Sequence, residues 1–453
     1  MKEKDNRVNF TSKLGVVLAA AGSAVGLGNV WRFPTEVGNN GGAAFILIYL
    51  LCVLAVGVPV MMSEFLIGRH THANTITAFS KLAPGKWWRI EGVAGVFVAF
   101  LILSYYTIIS GWTLYYLVQS LKGSFLENQD YSACFSSFVS DPYVPLLYAV
   151  FFMLMTHLVI ARGVQSGIER FSKIMMPMLL LIIVILVVCS FGMPGAGTGL
   201  RFLLKPDFSK VTASVVLSAM GQAFFSLSLA MGCLCTYASY FTPDTKLVKT
   251  AFSVCSIDTF VAILSGFIIF PAVFSVPNVN PDEGPGLVFV TLPHVFNIAF
   301  HSVPLLGYLF SGLFYLLLLL AALTSAMSLH ESVTAYVIES LGMPRKKAST
   351  LVSVSCMALG VLCCLSFGVL SDFTVCGLTI FGLFDFCTSK IIMPAGGLII
   401  CLFTGWYLDR KLVYNELTNG GTVPFRLFRV YVFLIRYVVP IAIALIFINE
   451  LLG

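Results

Sequence analysis

Two stretches of this 453-residue chain carry polar groups where an apolar helix would not place them. In the first, Gly22, Gly26 and Gly28 run into Asn29, Arg32 and Glu36 within an apolar segment. In the second, Gln222, Ser226 and Ser228 are followed by Gly232. Glycine weakens a helix interior by about 1 kcal/mol, and polar residues beside it predict a break. An unwound stretch frees main-chain carbonyls, which with hydroxyls and carboxylates are the ligands a hard cation prefers. The half-helix N-termini at such a break carry partial positive charge suited to an anion. Each stretch also has a plainer explanation. Gly22 and Gly26 form a GxxxG pair, a helix contact face in many membranes. Ser226 and Ser228 could bond back to carbonyls one turn earlier. The first alternative leaves Asn29 and Arg32 unexplained; the second stays open.

The elements that must position these residues follow from composition. Hydrophobic residues make up 58% of the chain and charged ones 11%, with a net charge of +6. A soluble domain typically has about 25% charged residues, so a water-soluble enzyme and a disordered chain are both excluded. Apolar runs long enough to cross a bilayer recur at about 13–37, 43–68, 93–121, 144–160, 171–191, 213–241, 251–276, 303–338, 350–370, 379–407 and 428–452. Backbone groups in lipid must be satisfied internally, so the spans are read as helices, and the first as a retained helix instead of a signal peptide. Eleven spans put the termini on opposite sides. Segments on the N-terminal side hold 20 of the 27 Lys and Arg, which predicts a cytoplasmic N-terminus and an outside C-terminus. The outer segment 277–301 has Asp282 and Glu283 but no Lys or Arg, in agreement. The twelve cysteines and six histidines show no metal-ligand spacing, and the basic cluster Arg345, Lys346 and Lys347 needs no nucleic acid to explain it. The two interrupted spans begin two possible five-span halves, the pattern that points to a midplane site in inverted-repeat transporters.

At these residues the chain resembles the neurotransmitter:sodium symporter family, in its bacterial amino-acid branch. The resemblance is carried by Ala21-Gly-Ser-Ala-Val-Gly-Leu-Gly-Asn-Val-Trp-Arg-Phe-Pro34, Asn40-Gly-Gly42, Gln222-Ala-Phe-Phe-Ser-Leu-Ser228, Tyr237-Ala-Ser-Tyr240 and Leu323-Thr-Ser325, and covers about 7–407. It implies an all-α integral membrane protein with the five-plus-five inverted-repeat fold. Helices 1–5 (13–191) would form one repeat, helices 6–10 (213–407) the other, with helix 11 at 428–452 and helices 1 and 6 unwound at midplane.

The resemblance also implies a site. One sodium ion would be held by Ala24, Asn29, Ser226 and Asp258 with the substrate carboxylate, a second by the carbonyls of Gly22 and Val25 with Ala321, Thr324 and Ser325. The substrate would lie among Ala24, Gly26, Ile102, Tyr106, Phe225, Ser226, Ser228, Ala230, Met231, Ser325 and Leu329. Monoamine members carry Asp at the place of Gly26, so a zwitterion is expected here. The uncharged apolar walls suit a neutral hydrophobic or aromatic amino acid, with Met231 flexible enough to admit a bulky side chain. Where a bacterial member has Asn followed four residues later by Glu, this chain has Asp258 and Ala262. Asp258 is therefore expected to supply the negative charge that animal members take from chloride, and no chloride is expected.

Arg32 and Asp385 match the outer gate, bridging over Tyr106 and Phe225, and Arg7 and Glu339 the cytoplasmic pair, with Tyr240 beside them. Glu64 matches a carboxylate that braces the first helix. Gly167 and Pro177 match a pattern linked to unwinding of the fifth helix. The function expected is sodium-coupled symport of an amino acid across a bacterial inner membrane by a monomer or weak homodimer, with no nucleic-acid partner. An amino-acid sensor or a sodium-conducting channel on the same fold is the alternative. A membrane enzyme would need a nucleophile with its base or a metal cluster, and no such set emerges.

Overall fold

The computed structural model describes residues 8–124, 130–276, 286–300 and 303–452. Among these, nine helices are long and apolar enough to cross a membrane. They are Ala43–Thr71, Arg89–Lys122, Val144–Ala161, Val164–Ser190, Leu247–Val273, Pro304–Leu341, Arg345–Leu365, Ile380–Tyr407 and Phe428–Asn449. The two remaining spans are the interrupted ones. Lys13–Ala24 and Gly28–Asn39 meet at an angle of 57°, and Ala213–Ser226 is separated from Cys233–Ala238 by a non-helical turn. Of the eleven spans expected from hydropathy, nine are continuous helices of spanning length and the bent first pair makes a tenth; the sixth is present as the shorter apolar helix Ala213–Ser226 and the short helix after its turn. Of the outer segment, 277–285 and 301 lie outside the described residues, while 286–300 forms a short apolar helix, Leu287–Ala299.

The third span, Arg89–Lys122, and the eighth, Pro304–Leu341, pack along each other and form one wall of the interior. Both are far longer than the roughly 20 residues a bilayer requires. The first broken span packs against the eighth and against the seventh, Leu247–Val273, and the sixth packs against the second, with its second half also touching the third and eighth. Side chains pointing outward from the fourth, fifth and ninth spans are apolar and exposed, such as Leu154, Leu181, Val188 and Val354. On a chain this short of charge, that outer surface is the one lipid covers.

The breaks follow from the local sequence. In the first span Val25 turns to an extended conformation (φ −67°, ψ 113°) after Ala24. The freed N–H groups then find side chains: Gly26 donates to Asn29 Oδ1 at 2.8 Å and Leu27 to the Tyr106 hydroxyl at 3.3 Å. In the sixth span Ser228 (φ 52°), Ala230 (φ 60°) and Gly232 (φ 69°) are left-handed. Two of these carry a Cβ, and that conformation costs an L-residue roughly 1–2 kcal/mol. The Ala230 N–H compensates by donating to Glu64 Oε1 at 2.7 Å. Irregular backbone inside a membrane is tolerated only under such conditions, with its groups re-satisfied or facing a cavity.

Candidate functional site

The two breaks face each other across a cavity of about 450 Å³. Its wall includes Ala24, Gly26, Ile102, Tyr106, Phe225, Ser226, Ser228, Met231, Ser325 and Leu329, ten of the eleven residues expected to meet substrate. Ala230 is not among them. Its left-handed backbone turns its N–H to Glu64, so the residue belongs to the brace behind the cavity. Glu64 itself therefore hydrogen-bonds the sixth span, where the sequence reading placed its brace on the first. Sequence reasoning also missed Ser23, Tyr105 and Ser328, which line the cavity as well. The signal was available for Ser328, three residues beyond Ser325 and so on the same helix face.

Gly26 is needed for its lack of a side chain. A Cβ there would stand 2.5 Å from Ser325 Oγ and 3.2 Å from the Tyr106 hydroxyl. Tyr106 and Ser325 are thus held where only main chain separates them. An aspartate at this position would have to displace the Ser325 hydroxyl from the place it now holds.

At one end of the cavity Asn29, Ser226 and Asp258 form a closed set. Asn29 Nδ2 donates to Asp258 Oδ1 at 2.7 Å and to Ser226 Oγ at 3.2 Å, and Ser226 Oγ donates to Asp258 Oδ2 at 2.8 Å. Asp258 and Asn29 are wholly buried. Tyr49, within electrostatic reach of Asp258, is also buried, as is Gln222, whose amide atoms have no hydrogen-bond partner. A carboxylate amid oxygen and amide groups in this setting is suited to a desolvated monovalent cation, whose charge would balance it. Asn29 would present its oxygen to such an ion by rotating its amide, because Oδ1 now accepts from Gly26.

The second set lies on the other side of the first break. The Val25 carbonyl accepts from Ser325 Oγ at 2.9 Å and Thr324 Oγ1 at 3.5 Å, and Thr324 Oγ1 also donates to the Ala321 carbonyl at 3.0 Å. Gly22 packs on Thr324, where a Cβ would stand 3.2 Å from the threonine Cβ. All five expected members meet here, and all are buried. Every polar atom in the set is oxygen, the donor chemistry sodium prefers.

The charged gates are placed differently from each other. Arg32 and Asp385 both line the cavity but make no ion pair. The Arg32 guanidinium instead sits 4.3 Å over the Phe225 ring, while Asp385 accepts from the Tyr105 hydroxyl at 3.4 Å. The expected bridge over Tyr106 and Phe225 is not made because the cavity runs between the two groups. At the opposite end Arg7 lies outside the described residues. Glu339 accepts from the Asn74 N–H and Nδ2 at 2.8 and 2.6 Å. Tyr240 donates to Glu331 at 2.7 Å, and the Glu331 carboxylate is also gripped by the Arg345 fork. Phe10 closes over this network, edge-on to Tyr237 and Tyr240. One side is open and the other shut.

These features are matched among known proteins. The description of the sodium:neurotransmitter symporter family fits residues 7–144 and 136–453. The chain belongs to the sodium:neurotransmitter symporter family. Symporters of this family are sodium-coupled transporters and not enzymes. The uncharacterized sodium-dependent transporter YhdH of Bacillus subtilis is 41% identical over 98% of this chain and 97% of its own. The crystal structure of MhsT in complex with L-phenylalanine is also 41% identical, with a TM-score of 0.89 over 98% of this chain and all of that one. The sodium- and chloride-dependent taurine transporter of the dog is 26% identical over 91% of this chain and 73% of its own. The architecture is therefore the inverted-repeat fold of this family, with the first and sixth helices unwound.

The fifth span departs from the family-based expectation. Gly167 lies in a π-helical turn, Val164–Glu169, and not in an unwound stretch. Its Cβ would meet the Val159 carbonyl at 2.1 Å, so the turn is pressed against the fourth span. Pro177 sits inside the following helix. Glu169 in that turn accepts from the Thr11 N–H at 2.8 Å, Thr11 Oγ1 at 2.7 Å and Ser12 Oγ at 3.1 Å. It thereby ties the start of the first span to the start of the fifth.

Proposed function

We propose that this symporter moves a neutral hydrophobic or aromatic L-amino acid into a bacterial cell with two sodium ions and without chloride. The carrying observation is the closed set of Asp258, Asn29 and Ser226 beside a cavity lined by the apolar side chains of Ile102, Phe225, Met231 and Leu329. The substrate carboxylate would complete the first sodium site and accept from the Tyr106 hydroxyl, while main-chain carbonyls near Phe225 and Ser228 take the ammonium. Ile102, Met231 and Leu329 would receive the side chain. The second ion would sit among Gly22, Val25, Ala321, Thr324 and Ser325. The two repeats would be 13–191 and 213–407, with the N-terminus in the cytoplasm and the C-terminus outside. Access would alternate between the side closed by Phe10, Tyr240 and Glu331 and the side open between Arg32 and Asp385. Phenylalanine bound to MhsT supports an amino-acid substrate of this class.

Uptake of all twenty amino acids into proteoliposomes, with and without an inward sodium gradient, tests the reading. Accumulation of one neutral apolar amino acid only under the gradient is expected, at the same rate when gluconate replaces chloride. Asp258→Asn should abolish that chloride-free uptake. Gradient-independent flux far above turnover would instead favour a channel, and binding without accumulation a sensor. Full chloride-free activity in Asp258→Asn would remove the role given to that carboxylate.

A further inference from the structure

Four of the basic residues at the Phe10 end of the bundle are ion-paired. Arg69 is held by Glu416, Arg345 by Glu331, Lys173 by Glu169 and Lys13 by Asp244. Arg162 and Arg170 are not: both are exposed, and neither has an ion-pair or hydrogen-bond partner for its guanidinium. They bracket the π-helical turn Val164–Glu169, with Ser166 midway between them in sequence. These three residues line a cavity of about 410 Å³ completed by Val159, Phe171 and Ile174. The cavity is therefore lined both by two guanidinium-bearing residues and by apolar side chains, while the Ser166 hydroxyl already donates to the Arg162 carbonyl. Gly167, which also lines it, lets the turn approach the Val159 carbonyl closely.

The apolar wall does not end at the cavity. Ile174, Leu181 and Val188 follow at seven-residue intervals along the fifth span and are 54%, 61% and 64% exposed. A spacing of seven repeats every two turns, so they form one stripe facing the hydrocarbon. A ligand matching this surface has an anionic head for two guanidiniums and a hydrocarbon tail for the stripe. Guanidinium groups recognise phosphate oxygens through charge-assisted hydrogen bonds, and basic pockets between membrane helices hold lipid headgroups in this way. The distribution of positive charge along the chain accounts for arginines on this side of the membrane. It does not account for two of them sharing a cavity with no counter-charge.

We propose that Arg162 and Arg170 form a binding site for the phosphate of an anionic phospholipid, with an acyl chain along Ile174 and Leu181. The headgroup would join both ends of the turn that carries Glu169, and so brace the contact between the fifth span and Thr11.

Native mass spectrometry of the full-length protein in detergent, titrated with phosphatidylglycerol, tests the site. One tightly bound lipid is expected for the wild type, with phosphatidylcholine failing to compete. Each arginine near a membrane anion is worth about 1 kcal/mol, so Arg162→Gln/Arg170→Gln should bind about 30-fold more weakly. Lys346→Gln/Lys347→Gln, which removes two exposed charges outside the cavity, should bind as the wild type does. Arg162→Lys/Arg170→Lys, retaining charge, should recover part of the loss and guards against a folding defect in the glutamine variant. Equal affinity in the Arg162→Gln/Arg170→Gln protein would overturn the proposal. Displacement of the lipid by inorganic phosphate at matching concentration would overturn it too, by showing a site for a soluble anion.

Discussion

At the scale of single residues, Gly26 determines what the cavity can accept. The distances to Ser325 and Tyr106 leave no space for even one methyl group. Gly26→Ala must push Ser325 Oγ off the Val25 carbonyl or shift the third span, and overpacking of this kind costs about 1–3 kcal/mol. Substrate binding by equilibrium dialysis should be lost, with the melting temperature in detergent lowered. A variant with unaltered affinity and melting would show that the close approach does not exist in the working protein. Much of this site was legible because ion and substrate ligands cluster at two short motifs whose polar residues stand out against apolar surroundings. Ala230 was misplaced for a physical reason. Residue-by-residue resemblance carries over the order of side chains, whereas a left-handed backbone decides where they go. Tyr49 escaped notice because a tyrosine in an apolar run looks like packing until Asp258 is seen beside it.

At the scale of elements, each broken helix is held by partners far away in sequence, and this was only half visible. Hydropathy and glycine content locate the spans and both interruptions. They cannot reveal that Glu331 pairs with Arg345 across the turn between the eighth and ninth spans, or that Glu169 holds Thr11. Glu169→Gln tests the second link. The substitution keeps the shape but removes the charge that meets Lys173 at 2.6 Å and leaves one acceptor oxygen for three donors. A hydrogen bond to a charged group contributes about 1.5–3 kcal/mol, so opening of the segment should become roughly tenfold easier or more. Hydrogen exchange read by mass spectrometry should then be faster at residues 11–16, with the third and eighth spans unaffected. Unchanged exchange there would mean that packing by Phe10, not Glu169, keeps this end shut.

For the molecule as a whole, one cluster outside the bilayer ties three separate parts of the chain together. Arg69, at the end of the second span, donates to Glu416 at 2.9 and 2.6 Å, to the Thr245 carbonyl at 2.6 Å and to Asn419 Oδ1 at 3.2 Å. Glu416 lies on Arg410–Leu417, the helix between the tenth and eleventh spans, and its other oxygen contacts His70 Nδ1 at 2.9 Å. Burial alone would raise the Glu416 pKa, but the His70 hydrogen bond and the Arg69 charge outweigh it and hold the carboxyl below its ordinary value. A carboxyl depressed in the folded state binds fewer protons there than in the unfolded state. Its contribution is therefore complete above the unfolded value of about 4.3 and disappears as pH falls through the lower folded value. Removing one partner of a largely buried pair costs about 3 kcal/mol, because Arg69 would be left with its charge uncompensated. Glu416→Gln should lower the melting temperature in detergent at pH 7, and the gap from the wild type should close as the buffer is taken below pH ~4. A gap that is constant with pH would place the effect in the Thr245 and Asn419 hydrogen bonds instead. The second span carries Glu64 against the unwound turn of the sixth at its middle and Arg69 against these loops at its end. Loosening the cluster should therefore raise the sodium concentration needed for half-maximal uptake as well.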